Sequence, residues 1–257
     1  MSERRGAPAL RGVLRLWPQA ASAATVVGLW ELDSSLRHPT WLPTVESVAS
    51  SWWRLVTGGA FHVAVTSLET LGIGLAVVLA AGALVAGLLA RFRLLDEALT
   101  PLLNAAMATP VVALVPVFVL IWGFSDTTRV IAVVAFAFVP LVLQWIVALK
   151  SVPEHLKEMA HAFAGGRIAL VRTVVLPAVA PLLLNGARIA VVQAIKGVIT
   201  AEMIIGVVGV GKLIVTASET FDMAQLYAVV LTVVAVSVAS YLVLSTLEHR
   251  SSRWADA

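Results

Sequence analysis

Cysteine is absent from the 257 residues, which excludes disulfide frameworks, thiolate metal sites and thiol catalysis. Charge is scarce as well: Asp, Glu, Lys and Arg make up 13% of the chain, against about 25% in a soluble domain. With 60% hydrophobic residues and a mean hydropathy of +0.94, too few polar side chains remain to cover a water-facing globule. An ordinary soluble enzyme, a disordered chain and a nucleic-acid binder are thereby excluded. The pI of about 9.7 rests on a formal excess of only +3. In a membrane protein such a surplus reflects basic residues gathered on one side of the bilayer. The sequence is that of an integral membrane protein.

A helix needs about 20 mostly apolar residues to cross a hydrocarbon layer about 30 Å thick. Three stretches meet this without any charge, Thr70–Ala90, Val130–Leu149 and Met223–Leu247. A fourth, Ala98–Ser125, is also uncharged but is interrupted by Pro101, Pro110 and Pro116, so it reads as a kinked or broken span. A fifth, Ala178–Ile205, is apolar apart from Arg188, Gln193, Lys196 and Glu202. The weakest, Leu16–Trp30, follows Arg4, Arg5, Arg11 and Arg15 and has the outline of a signal peptide. No small-residue cleavage site follows before Trp30, Glu31 and Asp33, so it is read as a retained first helix.

Lys and Arg set the orientation. With both ends cytoplasmic, twelve of the 18 face inward: Arg4, Arg5, Arg11, Arg15, Arg91, Arg93, Lys150, Lys157, Arg167, Arg172, Arg250 and Arg253. Arg37, Arg54, Arg129 and Lys212 face outward, while Arg188 and Lys196 lie within a span. This bias requires an even number of crossings, and six are expected. The chain is read as one all-α transmembrane domain, 1–257, with a cytoplasmic arm at 1–15 and a first span at 16–36. An outer helix at 42–58 and a core at 63–250 follow. In the outer helix Pro43 ends what precedes, Thr44 caps, and Val45, Val48, Trp52, Leu55 and Val56 recur at helical spacing. Trp41, Trp52 and Trp53 suit a helix lying in the membrane interface; simple packing on the bundle explains them equally well.

The inside connection 150–177 is the most informative segment. Pro153 and Glu154 suit a helix start. Ala160, Ala162 and Ala164 are small, Gly165-Gly166 can end the helix in a left-handed cap, and a second helical piece runs to Leu176-Pro177. Two short helices joined by a glycine turn would form a small knob able to enter a groove on another protein. A solvated connector is the plain alternative.

This segment resembles the E-A-A-x(3)-G-x(9)-I-x-L-P motif of ABC-importer permeases. Glu158 and Ala160 match, Leu176-Pro177 close the motif at the right distance, and Val174 stands for Ile. Met159 replaces the first Ala, and Ala164 stands at the Gly position with Gly165 directly after it. Leu42-Pro43, the proline-rich Thr109–Pro116, Ala201-Glu202-Met203 and Gly209-Val210-Gly211 are similar to landmarks of the nitrate, sulfonate and taurine branch. The resemblance spans Leu42 to Arg253. It implies a type I importer: a membrane subunit, paired with a second copy in a homodimer, two separate ATPase subunits and an external binding protein. Glu158, Met159, Ala160, Ala162, Ala164, Gly165, Gly166, Leu176 and Pro177 would then couple to the ATPase. The chain itself would be no enzyme and bind no cofactor, with ATP and Mg held by its partners. It would sit in a prokaryotic plasma membrane, contact lipid and bind no nucleic acid.

Gly206 to Lys212 imitates a phosphate-binding loop, but Leu213 stands where Ser or Thr must hold magnesium, and a span rather than a strand precedes it. Those glycines read instead as a tight outer turn.

An ionisable group inside a span is a functional candidate by default. Gln193, Lys196 and Thr200 fall on one helix face, whereas Glu202 lies about 240° round from Lys196. The resemblance implies that the fifth span lines the translocation path. Gln193, Lys196, Thr200 and Glu202 are its candidate residues, Lys196 attracting an anionic or strongly polar group. Two alternatives stand: Lys196 pairs with a neighbouring span or snorkels outward, and Glu202 braces the outer end of its helix. The expected cargo is a small polar or anionic solute such as a sulfonate, taurine or nitrate, or alternatively a heterocycle such as a thiamine precursor. An ion-coupled secondary transporter would need repeated halves with matching broken helices, and one broken span has no counterpart. The five histidines are scattered without metal-ligand spacing.

Overall fold

A computed structural model of the protein describes residues 8–152 and 175–252, with the side chains at 8–17, 19, 20, 60, 61 and 247–252 excepted. Every regular element in that range is helical. In chain order these are α1 (Pro8–Arg37), α2 (Val45–Thr57), α3 (Ala60–Arg91), α4 (Arg93–Ala108), α5 (Val115–Trp122) and α6 (Asp126–Lys150). Beyond residue 174 come α7 (Leu176–Ile205), α8 (Val210–Glu219) and α9 (Met223–Ser252). The all-α membrane architecture expected from composition is therefore the one observed.

Among the described residues four helices, α3, α6, α7 and α9, are long and apolar enough to cross a bilayer. The α4–α5 pair adds a fifth crossing, bent by 88° at a break of a few residues. Prolines explain the break. Thr109 and Pro110 leave the helix, a short 3-10 turn follows at Val111–Leu114, and Pro116 opens the next helix where it forfeits no hydrogen bond. The pair runs the full length of α6. Asp96 in the first turn of α4 meets Lys150 at the end of α6 at 2.5 Å. At the far end of the pair, the Gly123 carbonyl accepts from Thr128 Oγ1 in the first turn of α6 at 2.6 Å. Because Thr128 and Lys150 are 22 residues apart on α6, the two contacts lie about 33 Å apart. A re-entrant loop would return to its own side, so this is a broken span.

Among the described residues five crossings are found, and the expected count of six is not confirmed. Leu16–Trp30 belongs to α1, which at 30 residues is long enough. Arg15, Pro18, Gln19, Glu31 and Asp33 keep it less apolar than the other spans. Its end is anchored: the Trp30 indole donates to the Pro43 carbonyl at 2.7 Å, and the Glu31 carboxylate accepts from the Val45 amide at 2.8 Å. Trp30 also packs on Tyr227 at the start of α9, ring centres 5.4 Å apart. Thr44 caps α2 as expected, its side chain accepting from the Ser47 amide.

The core is a three-helix packing of α3, α6 and α7 around Val78, Val133, Leu141, Ala190, Ala194 and Val198. Without water between helices, close approach of backbones supplies the attraction, and glycine permits it. A Cβ on Gly82 would stand 2.7 Å from Leu141, and one on Gly186 2.7 Å from the Trp145 ring. Of the small-residue pairs in α3, Gly82 and Ala86 are buried against α6, while Gly87 has open space beside it. At the Lys150 end of α6, Ala148 and Val152 pack on Val179 of α7, clamping together the two ends of the connection between these helices.

Candidate functional site

Two polar features sit within the apolar bundle. The first is a cavity of about 300 Å³ beside the broken span, lined by Ala106, Met107, Thr109 and Val111 of the α4–α5 region and by Ala135, Phe136, Val139 and Pro140 of α6. Gln193 and Lys196 of α7 complete it. Their three-residue separation puts both on one face of α7, and that face borders the cavity. Lys196 is exposed, while its neighbours Ile195 and Gly197 are buried. Lys196, Gln193 and Thr109 are the polar side chains among its lining residues, and the Thr109 hydroxyl donates to the Ala105 carbonyl at 3.4 Å. A concavity lined by a few polar side chains among apolar ones is what small-molecule sites require.

Thr200 is half-buried one turn further along and does not line this cavity. Glu202, grouped with the path residues from sequence, stands elsewhere and is fully enclosed. It belongs to the second feature, a polar bracket at the Arg129 end of the bundle.

In the bracket, Ser67 Oγ of α3 lies 2.7 and 2.8 Å from the two Glu202 oxygens and donates to the carboxylate. The Gly211 amide donates to Oε2 at 3.0 Å, and Arg129 Nη1 of α6 stands 3.5 Å from Oε1. Ser67 in turn accepts from the Val210 amide at 2.9 Å. Arg129 also pairs with the exposed Asp126. Four helices are thus joined at one carboxylate. Both charged side chains are nearly wholly buried, 4% exposed for Arg129 and 0% for Glu202. Such burial is tolerable because each group is paired and hydrogen-bonded.

Local geometry makes this possible. Gly206 ends α7 in the left-handed region (φ 68°), and Gly209 (φ 89°) turns the chain back so that α8 begins over Glu202. A Cβ on Gly209 would fall on the Glu202 carboxylate itself. Two of the amides in the stretch that imitates a phosphate-binding loop, those of Val210 and Gly211, are engaged by Ser67 and Glu202.

From sequence Phe124–Arg129 reads as a tight outer turn, and Ser67 gives no signal. For Arg129 this is corrected: it lies inside the first turn of α6, after the Ser125 cap, with its guanidinium enclosed. Its position next to an apolar run, at the same predicted end as an intramembrane Glu, was the available signal. Arg188 stacks over the Tyr241 ring at 4.5 Å and donates to Asn185, tying α7 to α9. Of the residues expected to couple to an ATPase, Leu176 and Pro177 open α7. Glu158, Met159, Ala160, Ala162, Ala164, Gly165 and Gly166 lie outside the described residues.

A bundle of long apolar helices with one broken span and a polar-edged cavity at the break defines a polytopic membrane protein built to pass a solute. The chain belongs to the family described as binding-protein-dependent transport system inner membrane component, which matches residues 72–255. It is a permease subunit of an ABC importer. It is 31% identical to the riboflavin transport system permease protein RibX of Chloroflexus aurantiacus over 97% of this chain and 96% of that protein. It is 26% identical to the formylaminopyrimidine transport permease protein ThiX of Halalkalibacterium halodurans, over 88% of this chain and 91% of the relative. It shares 25% identity with the putative aliphatic sulfonates transport permease protein SsuC of Bacillus subtilis, over 91% and 86% of the two chains.

Proposed function

We propose that the chain forms the translocation path for a small solute with an anionic or strongly polar edge, and that Lys196 and Gln193 meet that edge at the break in the α4–α5 span. The observation that carries this is the exposed Lys196 lining a cavity of about 300 Å³ beside the broken span. A lone cation in hydrocarbon costs several kcal/mol unless it has water or a partner, and a solute passage supplies both. The open side of the cavity is where a second copy of the chain would stand in a homodimer. An external binding protein delivers the solute, and two ATPase subunits, holding ATP and Mg, dock on the inside loop through Glu158 to Gly166. The chain is multi-pass in a prokaryotic plasma membrane with both termini cytoplasmic, and it does no chemistry.

A second reading of the cargo is a nitrogen heterocycle. Relatives named for riboflavin and formylaminopyrimidine align with most of the chain. Phe136 and Met107 on the cavity wall would suit a flat ring whose polar rim reaches Lys196.

Uptake into cells expressing the permease with its ATPase and binding protein tests the function. Uptake should stop on ATP depletion and survive an uncoupler that spares ATP; the reverse pattern would establish ion coupling and overturn the proposal. Competition of the labelled cargo by alkanesulfonates, against competition by flavins and aminopyrimidines, separates the two cargo classes.

A further inference from the structure

Among the helices bordering the cavity, α4 is the one least held by the rest of the bundle. No residue of α4 is buried. Its first turn is nevertheless fixed by charge: Asp96 Oδ2 meets Lys150 Nζ at 2.5 Å, and Asp96 Oδ1 accepts from Thr100 at 2.8 Å. Each charge stands at the helix end that favours it, Asp96 in the first turn of α4 and Lys150 in the last turn of α6. The attachment falls at the base of the inside loop, whose stems are clamped by Ala148, Val152 and Val179. At its other end α4 carries Ala106 and Met107 on the cavity wall and stops at the Thr109-Pro110 break. Between Asp96 and Met107 lie eleven residues of rise, about 16 Å.

A helix with one charged anchor at its foot, a break at its head and cavity lining near that break is a lever. We propose that Asp96 and Lys150 are positioning residues that transmit displacement of the α6 end to α4, and so move the Met107 wall of the cavity when the partner ATPase acts. This rests on the permease reading above, and it identifies the residues by which the loop and the cavity communicate. The pair is part-exposed, with side-chain exposures of 19% for Asp96 and 43% for Lys150, so its role lies in holding α4 in register rather than in global stability.

The chain has no cysteine, so Met107→Cys introduces a unique thiol on the wall. The complex with its ATPase and binding protein is reconstituted, and the rate of modification by a charged thiol reagent is compared in the nucleotide-free and vanadate-trapped states. In the Met107→Cys parent the rate should differ between the states. In Asp96→Asn and Lys150→Met backgrounds the difference should vanish, and solute taken up per ATP hydrolysed should fall about fivefold or more, the low end of ordinary coupling. The exchanged pair, Asp96→Lys with Lys150→Asp, restores the attraction against unfavourable helix dipoles and should recover part of both. A state difference that persists in the single variants overturns the proposal. So does an exchanged pair that behaves no better than the singles. If the single variants fail to assemble, the exchanged pair decides: state-dependent labelling supports the lever, and its loss overturns it. Absence of ATP-driven uptake in the wild-type complex, with Met107 in place, would count against the permease reading instead.

Discussion

Arg129 at the start of α6 and Glu202 near the end of α7 face each other at 3.5 Å with both side chains almost wholly enclosed. Breaking a buried pair by removing one partner leaves an uncompensated charge, which costs about 3–5 kcal/mol. Arg129→Met leaves the Glu202 carboxylate with hydroxyl and amide donors only, so a large fall in the thermal midpoint of the purified protein in detergent is expected. Glu202→Gln should be milder, because the amide oxygen still accepts from Ser67 or Gly211 while Arg129 keeps Asp126. Equal midpoints for the two variants would show that the bracket is not held by the charge pair.

The turn beneath that bracket has its own requirement. A Cβ on Gly211 would stand 2.5 Å from the Glu202 Cβ and 2.7 Å from the Ile199 carbonyl oxygen, which is backbone and cannot swing away. Gly211→Ala should therefore pry α8 off α7 and lower the melting midpoint. Gly87→Ala meets nothing within 4 Å, and replacing a mid-helix glycine gains up to about 1 kcal/mol of helix propensity. It should leave the detergent-solubilised protein unchanged or slightly more stable. Differential scanning fluorimetry of the two variants side by side checks the contrast.

These contacts show where sequence reading reaches its limit. The spans, the proline break and the Thr44 cap were legible because hydropathy, imino acids and caps act locally. The angular separation of Glu202 from Lys196 was also legible, since helical period alone dictates it. Arg129 was not, because its partner lies 73 residues away and an arginine beside a loop looks the same whether it faces water or a carboxylate. Ser67 lies 135 residues from Glu202 and gives no local sign. Thr200 shares a stripe with Lys196 but not its cavity, since the break of α4 places the wall beside Gln193 and Lys196 only. In α1 a mixed composition left the first span below the apolarity of the rest.

Trp145 offers a clean test of the α6–α7 seam. Its ring fills the notch left by Gly186, and its indole N–H donates to the Leu183 carbonyl at 2.9 Å. Trp145→Phe keeps an aromatic ring in the notch but removes the donor, leaving that carbonyl with one partner fewer. A loss of about 1 kcal/mol is expected, with complex assembly intact on size-exclusion chromatography. Gly186→Ala should be worse, since the added Cβ would stand 2.7 Å from the ring. A Trp145→Phe variant as unstable as Gly186→Ala would mean that ring volume, not the hydrogen bond, governs the seam.

Lys196 decides whether the cavity is a passage. If its ammonium meets the solute, Lys196→Met removes the attraction while leaving the walls apolar and the fold undisturbed, because the side chain is exposed. Uptake should then be abolished while the assembled complex still hydrolyses ATP. Lys196→Arg keeps the charge but replaces a compact ammonium with a planar fork, so uptake should persist with an altered KM. Gln193→Leu, three residues away on the same wall, should raise KM without abolishing transport, since it removes a neutral hydrogen bond worth about 1 kcal/mol. The ordering follows from the chemistry: charge removal most severe, amide removal intermediate, charge-preserving exchange mildest. Wild-type uptake by Lys196→Met in the reconstituted system would mean that the ammonium snorkels or pairs elsewhere, and the passage would have to be sought on another face of the bundle.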